Sequence, residues 1–265
     1  GRGGADPRTA TATNPGPDGV FGTADDIHGA TGLVRQDAAG VPVRSTAFGI
    51  RPQVTGRKAP SPINAAYENE LFWDGRAGDA FRDPVTGALV LATNAALESQ
   101  AAGPPVNDAE MSHIGRSWTD IALDLAPRTA LALAENIPAN LATFLGGQTY
   151  ASLFQQVFGS PGVTPQRILF AIAAYERTLI SDQTRFDAFL AGTGTLTAQE
   201  GAGYTLFSQF CMICHTDLLP GMHAYGPGNN GYFNVGVRPE TDDVGRYTID
   251  PQSFFYGSCR VETSK

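Results

Sequence analysis

One motif of five residues constrains this chain more than any other feature. Residues 211–215 read Cys-Met-Ile-Cys-His, the C-x-x-C-H pattern in which two thioether bonds attach a c-type haem and the histidine becomes the proximal iron ligand. The remaining cysteine is Cys259, and the sequence offers no second cysteine pair and no His-x-x-x-His spacing that would complete a zinc site. The sequence therefore predicts a haem bound at Cys211, Cys214 and His215.

Composition narrows the class of protein further. With 26 acidic and 18 basic residues the chain has a formal net charge of −8, which argues against a nucleic-acid partner and is compatible with docking a small basic protein. The longest apolar run, Ile168 to Tyr175, is far shorter than the ~18 residues of a membrane span. Because c-type haem is attached outside the bacterial cytoplasm, we expect a periplasmic or extracellular location.

Helices are expected in the middle and towards the end of the chain, with long loops elsewhere. The chain contains 31 Gly and 18 Pro among 265 residues, above the usual share of about 12%. Pro127, Pro138 and Gly146 separate two or three helices, and Thr164 followed by Pro165 predicts the start of the next one. The apolar residues that recur at helical spacing after it, and that we expect to form a buried stripe, are Ile168, Ile172, Tyr175 and Leu179.

The next helix leads directly to the C-x-x-C-H motif. Residues 197–200 have the Thr-x-x-Glu pattern of a capping box, which predicts a helix start. On that helix Tyr204, Phe207, Cys211 and Cys214 share one face by the three-to-four residue spacing. We expect the aromatic side chains to pack inward and the thiols to lie at the C-terminal end. No β-rich region is visible, so the predicted fold class is all-α with long loops.

Residues 1–57 are rich in Gly, Pro, Asp and Thr, and predict successive turns. Residues 14–26 loosely resemble a calcium-binding loop. The first ligand position there is Asn and the third is Gly, so we expect a solvated acidic turn. Residues 77–93 predict a surface insertion, and Asn94 can cap a helix that continues to Gln100.

Several blocks of sequence resemble, in the same order, the bacterial dihaem cytochrome c peroxidases. The blocks are Arg57-Lys-Ala-Pro-Ser-Pro-Ile-Asn64, Leu71-Phe-Trp-Asp-Gly-Arg-Ala77, Gln100-Ala-Ala-Gly-Pro-Pro105, Glu110-Met111, the motif at 211–215, Gly236-Val-Arg-Pro239 and Asp243-Val-Gly-Arg246. The resemblance implies two cytochrome c-like domains with one haem each, a peroxidatic domain at residues 1–181 and an electron-transfer domain at 182–265. It also implies an attachment motif just upstream of residue 1 and a distal ligand beyond Lys265.

The resemblance assigns roles to three side chains. Glu110 matches the distal acid–base group of the peroxidatic haem, Gln100 a polar group beside the same pocket, and Trp73 the tryptophan between the two haems. Cleaving the O–O bond requires moving a proton from one oxygen to the other, and a carboxylate beside the iron can accept and return it. The competing interpretations are a solvated surface residue for Glu110 and a plain buried aromatic side chain for Trp73. His113 either enters the same pocket or caps a loop.

The activity implied by the resemblance is the reduction of hydrogen peroxide to water with electrons from a small cytochrome c or copper protein. Two other hypotheses stay open: a non-catalytic dihaem electron-transfer subunit, and a protein-oxidising dihaem enzyme of the same superfamily. A second copy of the chain and calcium are further candidate partners. Lys58 stands where the family often has the Asn of its calcium site.

The sequence does not decide which residue is the distal ligand of the peroxidatic haem. The family's distal histidine normally precedes the Ala59-Pro60 block, and residues 48–52 contain none. Either His28 takes its place or the iron keeps an open position for peroxide.

Cys259 has no partner within the chain if both other cysteines carry haem. It is then a free thiol, an intermolecular link or a buried small residue, and we expect the last.

Overall fold

The computed structural model describes residues 13–57, 59–212, 232–233, 244–249 and 259–260. Helices predominate in this part of the chain, as predicted. They are α1 (Ala96–Ala101), α2 (Trp118–Leu125), α3 (Ala139–Leu145), α4 (Tyr150–Phe158), α5 (Pro165–Glu176), α6 (Arg185–Leu190) and α7 (Ala198–Phe210), with 3₁₀ turns at Ala65–Tyr67, Pro104–Val106 and Gly245–Thr248. Of these helices, none is long and apolar enough to cross a membrane.

Short strand pairs accompany the helices, which the prediction of an all-α fold did not include. The pairs are β1 (Thr13–Asn14) with β2 (Ile27–His28), β3 (Thr31–Val34) with β4 (Pro52–Val54), β5 (Phe81–Arg82) with β6 (Leu89–Leu91), and β7 (Tyr232–Phe233) with β8 (Cys259–Arg260). Strands of two to four residues are too short for an alternating apolar pattern to reveal them. The predicted insertion at 77–93 contains the β5–β6 hairpin, where Val85 and Leu89 are exposed.

Several helix ends lie where local chemistry predicts them, but the predicted cap at Asn94 is wrong: α1 begins at Ala96, and Asn94 lies two residues earlier with a positive φ of 58°. The capping box at residues 197–200 is formed, because the Thr197 hydroxyl accepts from the Glu200 backbone and the Glu200 carboxylate accepts from the Thr197 backbone. Pro165 is the first residue of α5. α3 ends at Gly146, whose φ of 51° lies in the left-handed region that favours glycine.

Two compact units divide the chain. Unit 1 holds the described residues of 13–57, 82–90 and 101–173, and unit 2 holds those of 59–81, 91–100 and 174 onward. The larger buried side chains of unit 1 are Val54, Trp118, Leu145, Phe154, Ile168 and Leu169. Those of unit 2 include Leu71, Phe81 and Leu97. The boundary between residues 181 and 182 expected from the resemblance stays a prediction.

The buried stripe predicted for α5 is correct at its start and wrong at its end. Ile168 is buried together with Leu169 and Ala173, but Tyr175 is 66% exposed. Helical spacing identifies residues that share a face. It does not specify which turns of that face another element covers.

The N-terminal segment is a series of turns, as predicted, and its carboxylates accept from backbone N–H groups of the same loop. Asp18 accepts from Val20, and Asp26 accepts from Gly22, both at 2.8 Å. Asn14 is 2% exposed, and its side-chain amide donates to the Pro52 carbonyl at 3.1 Å. Among the described residues, no group of three or more His, Cys, Asp and Glu is arranged to hold a metal ion.

Candidate functional site

Trp73 lies at the tip of a closed loop in unit 2. The loop is closed by paired backbone hydrogen bonds between Leu71 and Ala77, at 2.8 and 3.3 Å. Inside it the Gly75 N–H donates to the Phe72 carbonyl at 3.0 Å, and both residues have positive φ, 72° and 70°. A positive φ is strained for a bulky residue such as Phe72. Trp73 itself is half-buried, and the choice between a redox role and a plain buried aromatic stays a prediction.

The Asp-Gly-Arg residues after Trp73 stabilise this loop. Asp74 is 4% exposed and accepts from the Arg76 backbone at 3.2 Å and from its Nη1 at 3.1 Å. The Arg76 guanidinium lies 3.7 Å from the centre of the Phe72 ring, a cation–π contact. The sequence Trp-Asp-Gly-Arg therefore specifies a loop that folds on its own side chains.

Glu110 belongs to a compact turn in unit 1. The Asn107 carbonyl accepts from the backbone N–H groups of Glu110, Met111 and Ser112 at 3.0–3.2 Å. The Asn107 side-chain amide donates to Glu110 Oε1 at 3.3 Å. The residue is half-buried, and its hydrogen bond with Asn107 is exposed to solvent, so the carboxylate has a partner while solvent still reaches it.

The turn that carries Glu110 is fastened to β3 and β4. The Ala109 carbonyl accepts from the Leu33 N–H at 2.8 Å, and the Asp108 carbonyl accepts from the Gln53 side chain at 2.9 Å. The Asp108 carboxylate forms an ion pair with Arg35 Nε at 3.0 Å. Gln53 is 6% exposed, and a buried amide needs such a partner. Sequence reasoning did not identify this framework, because its partners are 55 or more residues apart.

Gln100 lies in α1 of unit 2 and is half-buried. The same helix carries a residue that sequence reasoning missed, Glu98, whose residue surface is 3% exposed. Arg177 donates to both of its oxygens, at 2.7 and 2.9 Å, and to the Asn94 carbonyl at 3.0 Å. Burial raises the pKa of the neighbouring Glu176, the charge of Glu98 adds to this, and Arg177 opposes it. An acidic residue directly after the apolar run 95–97 is a sequence signal that Glu98 is buried and needs a partner, but it does not identify Arg177.

The two described histidines lie in unit 1, as Glu110 does, whereas Trp73 and Gln100 lie in unit 2. His28 is exposed, and its Nδ1 is 3.0 Å from the Thr13 hydroxyl. His113 Nδ1 is 2.9 Å from the carbonyl of the next residue. Because a carbonyl only accepts, this nitrogen carries the proton. His113 therefore donates a hydrogen bond to the backbone of its own loop.

Cys211 is presented at the C-terminal end of α7. It is the C-cap residue, its N–H donates to the Phe207 carbonyl at 2.8 Å, and its thiol is exposed and free. Tyr204, on the same helix, contacts Phe186 and Phe189 with ring centres 5.7 Å apart. Cys214, His215 and Lys58 lie outside the described residues, and so do the side chain of Cys259 and the block at 236–239.

The residues around Cys211 fit a covalently bound haem. A porphyrin presents a wide apolar face, and two residues on the last turns of α7, Leu206 and Phe210, expose apolar side chains at 57% and 70%. The exposed thiol at the end of the helix is accessible to the attachment chemistry. Cys211 would hold the haem together with Cys214, and His215 would be its proximal ligand.

Comparison with known proteins agrees with this chemistry. Residues 35–195 match the family model described as "Di-haem cytochrome c peroxidase". The chain is 32% identical over 216 residues to the cytochrome c peroxidase Ccp of Escherichia coli, covering 80% of the chain and 38% of that protein. It is 31% identical over 197 residues to the cytochrome c551 peroxidase of Nitrosomonas europaea, covering 73% and 45%. The methylamine utilization protein MauG of Methylophilus methylotrophus is 28% identical over 165 residues, covering 60% and 38%.

Among solved structures, the chain is similar to a MauG-like protein associated with microbial copper homeostasis. The TM-score is 0.49 and the identity 19%, covering 86% of this chain and 57% of that one. The chain spans less than half the length of the curated relatives named above. The family model covers more than half of the chain. The chain therefore belongs to the di-haem cytochrome c peroxidase family.

Proposed function

We propose that this protein reduces hydrogen peroxide to water, using two cytochrome c-like domains at residues 1–181 and 182–265. Its electrons would come from a small cytochrome c or copper protein, and it would work in the periplasm. Membership of the family, the C-x-x-C-H motif and the peroxidases among the relatives support this proposal. The observation that carries it is the placement of Glu110, a half-buried carboxylate held by Asn107 on a turn fastened to two strands.

Bound haem supplies an iron that takes up peroxide and delivers the electrons needed to split it. The Glu110 carboxylate accepts a proton from one peroxide oxygen and returns it to the departing one. Asn107 donates to Glu110 Oε1, so the carboxylate keeps one orientation through both proton transfers. Nothing in this chemistry requires Glu110 to be fully buried.

Three further residues complete the proposal. Trp73 would lie on the electron route from the haem at Cys211, a role that its fixed position in a closed loop supports. Gln100 orients a ligand beside the peroxidatic haem through its side-chain amide. His28 is the candidate distal ligand of that haem.

The decisive experiment is peroxide-dependent oxidation of a reduced small cytochrome by the haem-loaded protein. For Glu110→Gln we expect a loss of turnover of about 10²- to 10⁴-fold. Glu135 is an exposed carboxylate of the same unit, so Glu135→Gln is the matched control and is expected to keep the wild-type rate. Undiminished turnover of Glu110→Gln would exclude the proton-transfer role.

A second candidate function is oxidation of a protein substrate. Relatives named MauG favour it, since two proteins of that name are similar to this chain at 28% and 25% identity. The same assay separates the candidates: a long-lived oxidised state that forms with peroxide, without consumption of the small cytochrome, would select this second function.

A further inference from the structure

One arginine near the end of the described chain binds the Trp73 loop at several points. Arg246 Nη1 donates to Glu70 Oε2 at 3.0 Å, to the Asp74 carbonyl at 3.1 Å and to the Gly75 carbonyl at 3.3 Å. Its Nη2 donates to Glu70 Oε1 at 3.0 Å. All four residues belong to unit 2. The two backbone carbonyls are those that directly follow Trp73.

The geometry of this contact makes it specific for arginine. The two nitrogens meet the two oxygens of Glu70 in the bidentate arrangement that a planar guanidinium allows and an ammonium does not. The side chain of Arg246 is 15% exposed and that of Glu70 31% exposed. Because most of the pair is shielded from water, its hydrogen bonds are stronger than those of a typical surface pair.

The loop combines hydrogen bonds of its own with a strained residue. Backbone pairing joins its ends at Leu71 and Ala77, and Phe72 adopts a strained positive φ of 70°. A strained conformation persists only where the surroundings hold it. Arg246 supplies such a restraint by binding the two residues that follow Trp73. It is 171 or more residues away from them in sequence.

We propose that Arg246 is a positioning residue for Trp73: it fixes the loop so that the indole keeps one position on the electron route. This inference rests on the proposed function, in which two electrons, one from each of two reduced small cytochromes, pass through Trp73 and reduce one hydrogen peroxide and two protons to two waters. In this scheme Arg246 acts on Trp73 through the loop that carries it. It also gives a role to the Asp-Val-Gly-Arg block at 243–246.

The first measurement tests the restraint without reference to activity. Hydrogen exchange of the haem-loaded protein is followed by mass spectrometry on peptides that cover residues 71–77. For Arg246→Gln we expect exchange at least ~10-fold faster there. Arg116→Gln is the control, because it removes the exposed pair with Asp124 in unit 1 and should leave these peptides unchanged. Arg246→Lys keeps the charge but loses the bidentate arrangement of the guanidinium, so we expect an intermediate rate of exchange.

The second measurement tests whether the restraint acts through Trp73. For Arg246→Gln we expect kcat to fall by about 10- to 100-fold, with the KM for peroxide within about twofold. If Arg246 acts only through the indole, adding Arg246→Gln to Trp73→Phe causes no further loss, since coupled residues are not additive. Arg246→Lys provides the same comparison if Arg246→Gln does not fold.

Each outcome decides the proposal. Unchanged exchange at 71–77 in both Arg246 variants overturns it, and so do multiplicative losses in the double variant. Wild-type turnover of Trp73→Phe overturns the electron route, and with it the effect of Arg246 on rate. If the wild-type protein does not consume peroxide with a reduced cytochrome, the proposed function fails. The exchange result still shows whether Arg246 holds the loop.

Discussion

The ion pair between Glu98 and Arg177 leads to a quantitative prediction. Arg177→Met removes two hydrogen bonds to the carboxylate, at 2.7 and 2.9 Å, and one to the Asn94 carbonyl at 3.0 Å. Because the Glu98 side chain is 4% exposed, water cannot replace these partners. Breaking a buried pair costs about 3–5 kcal/mol, and the 39% exposure of Arg177 places this case near the lower value.

This loss of unfolding free energy converts into a decrease in melting temperature. For a chain of this size 1 kcal/mol shifts Tm by about 2–4 °C, so we expect Arg177→Met to lower the Tm of the haem-loaded protein by about 6–12 °C. Thermal unfolding followed by circular dichroism measures it. Arg116→Met is the control, because Asp124 is 57% exposed and such pairs contribute about 0–1 kcal/mol. Its expected Tm change is below about 4 °C.

The loss should also depend on pH. Burial raises the pKa of Glu176, the charge of Glu98 adds to the increase, and Arg177 opposes it. Removing Arg177 therefore raises this pKa further. A carboxyl with a raised folded-state pKa contributes stability that is present below its unfolded value and is lost as pH rises through the folded value. The Tm loss should be larger at pH 8 than at pH 5. Equal losses at both pH values, or a loss below about 3 °C, would refute the reasoning.

Two further predictions concern Glu110 and Glu176. A Cβ at Gly32 would lie 2.1 Å from the Ala109 carbonyl, so Gly32→Ala should push back the turn that carries Glu110, destabilise the fold by about 1–3 kcal/mol and lower peroxide turnover. The control is Gly78→Ala, where a Cβ meets nothing within 4 Å. If Gly32→Ala keeps the wild-type Tm and turnover, the close approach of residue 32 to the Ala109 carbonyl is contradicted. Burial raises the pKa of Glu176, so the stability that its carboxyl contributes is lost as pH rises. Glu176→Gln should therefore raise Tm more at pH 8 than at pH 4; a gain of the same size at both pH values would show that ionisation of Glu176 is not the cause.

Predictions that depended on neighbouring residues agree best with the structure. Thr197 and Glu200 cap α7 because a hydroxyl and a carboxylate three residues apart meet the same backbone N–H groups. Pro165 starts α5 because its fixed φ suits the first helical turn. Cys211 lies at the end of α7 for a related reason, since the spacing from the capping box sets how far the helix carries it.

Contacts between distant residues could not be predicted in the same way. Glu98 and Arg177 are 79 residues apart, and Glu70 and Arg246 are 176 apart. A carboxylate and a guanidinium attract at any separation in sequence, so sequence alone gives no reason to choose one partner over another. The pairing depends on which backbones the fold brings within about 3 Å.

The amino-acid sequence alone predicted the haem attachment residues, the starts of α5 and α7 and the family, because each depends on residue types at fixed short spacing. Only the tertiary structure decided that Glu110 is held by Asn107 against β3 and β4, and that Trp73 lies in a loop bound by Arg246. The physical reason is that hydrogen bonds and burial depend on distance in space. Distance in space follows from packing the whole chain.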